Sequence, residues 1–172
     1  MASTVDNITS GPAKILLGAS QIPHTENGVG FKISPKNRMR NVDKFGVGNI
    51  SVIHTGDDVR INTSLAEWSA ETLAIVYNPG NNATAATGSG SGVRYIGVGR
   101  SAGYIYTTTT MDVVPYLSAD ATRGAYFEKV TPVGEFTVDH KADSDRLFAV
   151  EWVALVKESA TDGELIGKIR LP

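Results

Sequence analysis

Gly97, Gly99 and Ala102 stand at the spacing G-x-G-x-x-A, with Asp120 about 20 residues on. In that arrangement glycines let a dinucleotide pyrophosphate approach the backbone and an acid holds the ribose. The chemistry needs a helix N-terminus directly behind the glycines. Here Gly103, Tyr104, Ile105, Tyr106 and the four threonines Thr107 to Thr110 follow instead, an aromatic and β-branched run that reads as a strand. A glycine turn between strands is the better reading, and no cofactor is expected. Asp139, His140, Asp143 and Asp145 cluster within seven positions and offer oxygen and nitrogen ligands to a cation. They lack the spacing of a Ca²⁺ loop and suit an inter-strand turn equally well, so no metal site is expected. His24, His54 and His140 lie in three separate segments, and no glycine-flanked serine forms a nucleophile elbow, so the chain reads as a non-enzyme. Trp68 and Trp152 could serve as sugar-stacking platforms, but Trp152 alternates with apolar residues and Trp68 adjoins a helix start, which favours the core for both.

The basic segment carries a stronger signal. Lys32, Lys36, Arg38, Arg40 and Lys44 face one acid, Asp43; this local +4 sits in a chain of formal charge −2, so the remainder carries −6. Charges dominate 35–48, Met39, Val42 and Phe45 are isolated among them, and Gly46 and Gly48 permit sharp turns, so this stretch reads as a long loop. Long loops in compact domains are usually functional. Phosphate binding is disfavoured because Phe45 is the single interleaved aromatic. A projecting, partly apolar loop gains burial in an assembly, and a basic loop on an acidic body favours head-to-tail association of identical copies.

The elements that position this segment read mostly as strands. Val59, Ile61, Thr63 and Leu65 alternate with Arg60, Asn62 and Ser64, the period of a half-buried strand. Residues 49–54 should pair with 59–65 as a hairpin through the turn formers Thr55, Gly56, Asp57 and Asp58. Ala13–Leu17 and 28–34 are earlier strands, with Val29, Phe31 and Ile33 on one side of the second. From Ser69 the spacing turns helical: Ala70, Leu73, Val76 and Tyr77 share a stripe, and Asn78, Pro79 and Gly80 end it. A glycine- and serine-rich loop occupies 78–92. Strands are expected at 93–98, 104–114, 126–133 and 135–138, then at 146–157, whose run of apolar residues on both parities suggests cover on both faces. Asp162 and Gly163 then signal a hairpin into 164–169. The whole reads as a β domain with one embedded helix.

At 172 residues the chain fits one domain, 13–172, preceded by a polar arm, 1–12, that lacks the basic and apolar regions of a leader or anchor. A soluble, unexported product is expected. Without an export signal, the N-x-[ST] triplets at Asn7, Asn49, Asn62 and Asn82 are compositional accidents. The net charge argues against a general nucleic-acid binder, and the lack of cysteine excludes disulfides and thiolate chemistry.

The strands A-K-I-L-L-G and G-V-G-F-K-I, the segment 35–48 and the passage R-I-N-T-S-L-A-E-W-S-A-E-T-L come first in the chain. V-R-Y-I-G-V-G-R, K-V-T-P-V-G and F-A-V-E-W-V-A-L-V-K with its D-G turn follow. In this order the chain resembles the tail tube proteins of long-tailed bacterial viruses and the tube subunits of contractile injection machines. The resemblance covers about 13–169. It implies an antiparallel β-sandwich or barrel with one flanking α-helix, copies joined in rings of six, and rings stacked into a hollow tube. Sheath, baseplate and tail-terminator proteins are the implied partners, and the virion tail, assembled in the host cytoplasm, is the implied location. It makes the segment 35–48, with Lys36, Arg38, Met39, Arg40, Val42, Lys44 and Phe45, the contact between subunits, and orders the arm 1–12 between rings. A lumen that passes DNA without holding it needs polar, neutral walls, since evenly spaced cations would trap phosphates. Asn49, Ser51, Arg60, Asn62 and Ser64 are the candidates for that wall, Arg60 on condition that Asp57 or Asp58 neutralises it. Residues 104–114 are expected at a sheet edge completed by a neighbouring subunit. The rival readings are a carbohydrate-type ligand-binding β-sandwich, which predicts a stable monomer with an exposed aromatic cluster, and a hydrolase, which predicts convergent titratable groups.

Overall fold

The computed structural model describes residues 12–22, 25–41, 49–66, 72–73, 76, 101–116, 123–133 and 147–170. Its strands are β1 (Ala13–Leu17), β2 (Ser20–Ile22), β3 (Thr25–Asn41), β4 (Asn49–Leu65), β5 (Thr109–Pro115), β6 (Gly124–Pro132), β7 (Phe148–Ala154) and β8 (Gly167–Arg170). All eight belong to one antiparallel sheet in the order β2-β1-β5-β6-β7-β4-β3, with β8 on β6. The mainly β reading holds. The expected sandwich or barrel takes the form of an open sheet, whose first and last long strands approach where the Thr25 hydroxyl donates to the Ala13 carbonyl at 3.3 Å. Phe31 on β3 meets Phe127 on β6 edge-on, centroids 6.1 Å apart, so the inner face curls over itself.

Alternation explains why that face is dry. Val59, Ile61 and Leu65 of β4 pair with Ala154, Trp152 and Phe148 of β7, and all six are buried. Ile15 and Leu17 of β1 pair with Val113 and Met111 of β5 in the same way. Thr63 is tolerated among them because its hydroxyl donates to the Gly28 carbonyl at 2.8 Å. Thr72, Leu73 and Val76 are helical and buried, Val76 within the core cluster; the rest of the expected helix lies outside the described residues.

Several expectations are corrected. Residues 35–41 are strand, not loop: Lys36, Arg38 and Arg40 alternate with Asn37 and Met39, and that period of two is realised in β3. The turn expected at Thr55 to Asp58 is part of a continuous β4, in which Lys36 pairs with Gly56 and Asn37 with His54, leaving Thr55 as the extra residue of a bulge. Gly56 there has φ +141°, which uses the glycine that looked like a turn signal. β7 is covered on one face only, since Ala149 is exposed and Glu151 and Val153 are half-buried. The Asp162–Gly163 turn exists, with Gly163 at φ +86°, but β8 pairs with β6 and not with the preceding strand. Residues 104–108 are not strand, and β5 is hydrogen-bonded on both sides, to β1 and β6. Among the described residues the ladder ends at β2 on one side and β3 on the other. The expected strands at 93–98 and 135–138 lie outside the described residues.

Candidate functional site

β4 runs well past its partner β7, whose register with it ends at Val59 opposite Ala154. From there back to Asn49 only β3 accompanies it among the described residues, and the two strands form a ribbon of roughly ten residues, about 33 Å at about 3.3 Å per residue. A two-stranded ribbon has no face against a core, and it shows: residues 35–40 and 51–55 are all exposed, Met39 by 61% and Val52 by 59%. Such a ribbon is marginally stable alone in water.

Register gives the ribbon two unlike faces. Lys32, Ser34, Lys36, Arg38 and Arg40 are the even residues of β3 and point to one side. Asn37, Met39 and their partners His54 and Val52 point to the other. None of the four cations forms an ion pair with another described residue, so the charge is unspent. On the opposite face His54 Nε2 lies 3.4 Å from Asp57 Oδ2, and its Nδ1 lies 3.4 Å from the Asn37 side-chain oxygen. The bulge is pinned by the Thr55 hydroxyl, which donates to the Lys36 carbonyl at 2.8 Å.

The bulge also decides which wall candidates meet. Before it, even-numbered Arg60, Asn62 and Ser64 lie opposite the buried face; beyond it, the extra residue brings odd-numbered Ser51, partner of Arg40, to the same side. Asn49 is re-phased again by a second irregularity and falls on the Met39 side, its amide 2.7 Å from the Met39 sulfur. Arg60 donates to Glu151 at 2.7 Å and to Asp58 at 3.3 Å, and these carboxylates, Glu151 first, raise its pKa further. Its charge is thus matched, partly by Asp58 as the sequence required and partly by Glu151, which lies on β7 opposite Asn62 and could not be read locally. Of the contact candidates, Lys36, Arg38, Met39 and Arg40 lie on the ribbon; Val42, Lys44 and Phe45 lie outside the described residues.

The reading of the sequence missed a groove at the ribbon's foot. It has a volume of about 870 Å³ and lies between the β3–β4 root and the 155–169 segment. Ile33, Val156 and Ile169 line it while remaining 45%, 50% and 49% exposed, and Asp57, Asp162 and Glu164 stand around them. At the groove Lys168 pairs with Glu164 at 2.7 Å; away from it Arg170 pairs with Asp112 at 2.7 Å and Lys157 with Glu128 at 2.9 Å, which holds the Glu128 carboxyl below its ordinary range. Among the described residues no group of three or more His, Asp or Glu is placed to hold a metal. Asp139, His140, Asp143 and Asp145 lie outside them, as do Gly97 and Gly99; Ala102 and Gly103 form a turn with no helix behind it.

No protein-family model matches the chain. No curated protein matches either. Among solved structures, a chain of the cryo-EM structure of an extracellular contractile injection system, the PVC sheath-tube complex in its extended state, aligns with a TM-score of 0.55. The identity is 12%, over 88% of this chain and 94% of that one. A chain of the anti-feeding prophage cap, the AFP tube-terminating cap, aligns at 0.49 with 15% identity, over 89% and 94%. The fold is thus shared with a chain of a contractile injection system's sheath-tube complex, in line with the resemblance that the order of the sequence segments carries.

Proposed function

We propose that the chain is a structural subunit of a phage tail tube, closing into rings of six that stack into a hollow conduit for viral DNA. The observation that carries this reading is the bare β3–β4 ribbon, with apolar and cationic residues exposed and no third strand beside it among the described residues. A feature so costly to leave in water is one that another copy completes. The ribbon then serves as the contact between rings, the arm 1–12 orders at the same junction, and 13–172 is a single tube domain. Asn62, Ser64 and the neutralised Arg60 form the wall past which DNA slides without specific binding, while Ser51, which shares its face with the unpaired Arg38 and Arg40, goes with the ribbon's junction. Sheath, baseplate and terminator proteins complete the tail in the virion, and assembly takes place in the host cytoplasm. The fold it shares with a chain of a sheath-tube complex supports this reading.

Negative-stain microscopy of the purified chain tests it: rings or hollow filaments are expected, and a protein that stays monomeric at high concentration sinks the tube. Replacing Arg38 and Arg40 by alanine should shorten the filaments markedly while leaving the circular dichroism spectrum unchanged, because both side chains are exposed and form no ion pair with a described residue. Filaments of unaltered length would remove the ribbon from the junction.

A further inference from the structure

Resting on the tube reading, we infer that the groove at the ribbon's foot is the socket for the far end of the same ribbon in a second copy. The two surfaces match in kind. The socket offers half-exposed Ile33, Val156 and Ile169 beside Asp57, Asp162 and Glu164, of which Glu164 is paired with the lining Lys168 at 2.7 Å and Asp57 faces His54 at 3.4 Å. The ribbon's far end offers Met39 and Val52 on one face and Lys36, Arg38 and Arg40 on the other. Apolar area meets apolar area, and the unpaired cations of the tip meet a lining in which three carboxylates stand against the single cation Lys168, the pattern that steers and registers association. Asp162 forms no ion pair with any described residue, so it is available to a cation from outside.

The ribbon's tip cannot fill the socket of its own chain. Six residues of extended strand separate Ile33, in the socket, from Met39, which places them about 20 Å apart. Tip and socket are also different surfaces, so the contact is head-to-tail: each copy that docks leaves a fresh socket and a fresh tip, and growth continues along one direction. A small-molecule site of this volume would be expected to close its apolar wall around the ligand. Here the wall is continuous with the exposed underside of the ribbon, the shape that an extended strand pair fits.

The natural chain contains no cysteine, which makes the test direct. Met39→Cys and Ile169→Cys are prepared separately, mixed in equal amounts, assembled and oxidised. Both sites are exposed, so neither change should disturb the fold, and Val156→Cys is a second socket variant. Ile105→Cys, at a position 88% exposed and away from the groove, is the control partner for Met39→Cys. A disulfide needs the two Cα atoms within about 7 Å. Docking therefore predicts mixed dimers on the order of tenfold above the control, because the thiols are held at high effective concentration. Filaments that form but give no excess of Met39–Ile169 or Met39–Val156 linkage over the control overturn the socket while leaving the tube standing. A chain that forms no filaments at all overturns both.

Discussion

Replacing Trp152 by alanine is expected to cost about 3–5 kcal/mol of folding stability, read as a lower urea midpoint by circular dichroism under conditions where the chain is monomeric. The residue is 1% exposed and sits in the middle of the sheet, opposite Ile61 on one side and Pro132 on the other. Truncation would therefore open a void that neither rigid neighbour can fill. Trp152→Phe should cost much less: it keeps an aromatic ring in place and removes an indole N–H that has no hydrogen-bond partner among the described residues. A cost below about 1 kcal/mol for the alanine variant would show that the core is centred elsewhere.

Gly124→Ala should be nearly as damaging, and for the opposite reason. A β-carbon at this position would collide with the Val113 carbonyl across the β5–β6 ladder, a backbone atom that cannot swing aside. Overpacking alone costs about 1–3 kcal/mol, and parting the two strands adds lost ladder bonds. Gly30→Ala is the internal control, since nothing lies within 4 Å of its β-carbon position, and it should change stability by less than about 0.5 kcal/mol. Equal thermal midpoints for the two variants would refute the account.

Much of this architecture can be read from residues, and what cannot has physical causes. Ala13–Leu17 is a strand with the bounds that its composition gives, and the alternation of Val59, Ile61 and Leu65 with Arg60, Asn62 and Ser64 sorts core from surface correctly. Arg38, Met39 and Arg40 show the limit. A strand wet on both faces needs no apolar stripe, so its period of two is written in charge and is easily taken for a loop. Thr55 and Gly56 show another: the residues that make a turn also make a bulge, and only the partner strand decides between them. Apolar Ala149 and Val153 suggest burial that β7 does not have, because composition reports hydrophobicity and not what lies opposite.

The site followed the same division. The charge and the isolated apolar side chains of Lys36, Arg38, Met39 and Arg40 are local properties and legible in the sequence. The groove is not, because Ile33, Asp57 and Ile169 are distant in sequence and are gathered only by the pairing of β8 with β6 and of β4 with β7. The role of Glu151 beside Arg60 is likewise a product of register.

The bulge at Thr55 makes the ribbon unequally sensitive to changes in chain length. Losing Thr55 would merely straighten β4, since Asn37 would still oppose His54 and every side chain would keep its orientation. Losing any one of residues 35–37 would rotate the outer half of β3 by a half-turn, sending Arg38 and Arg40 beneath the ribbon and Met39 above it. Deletions are thus harmless on one strand and polarity-reversing on the other.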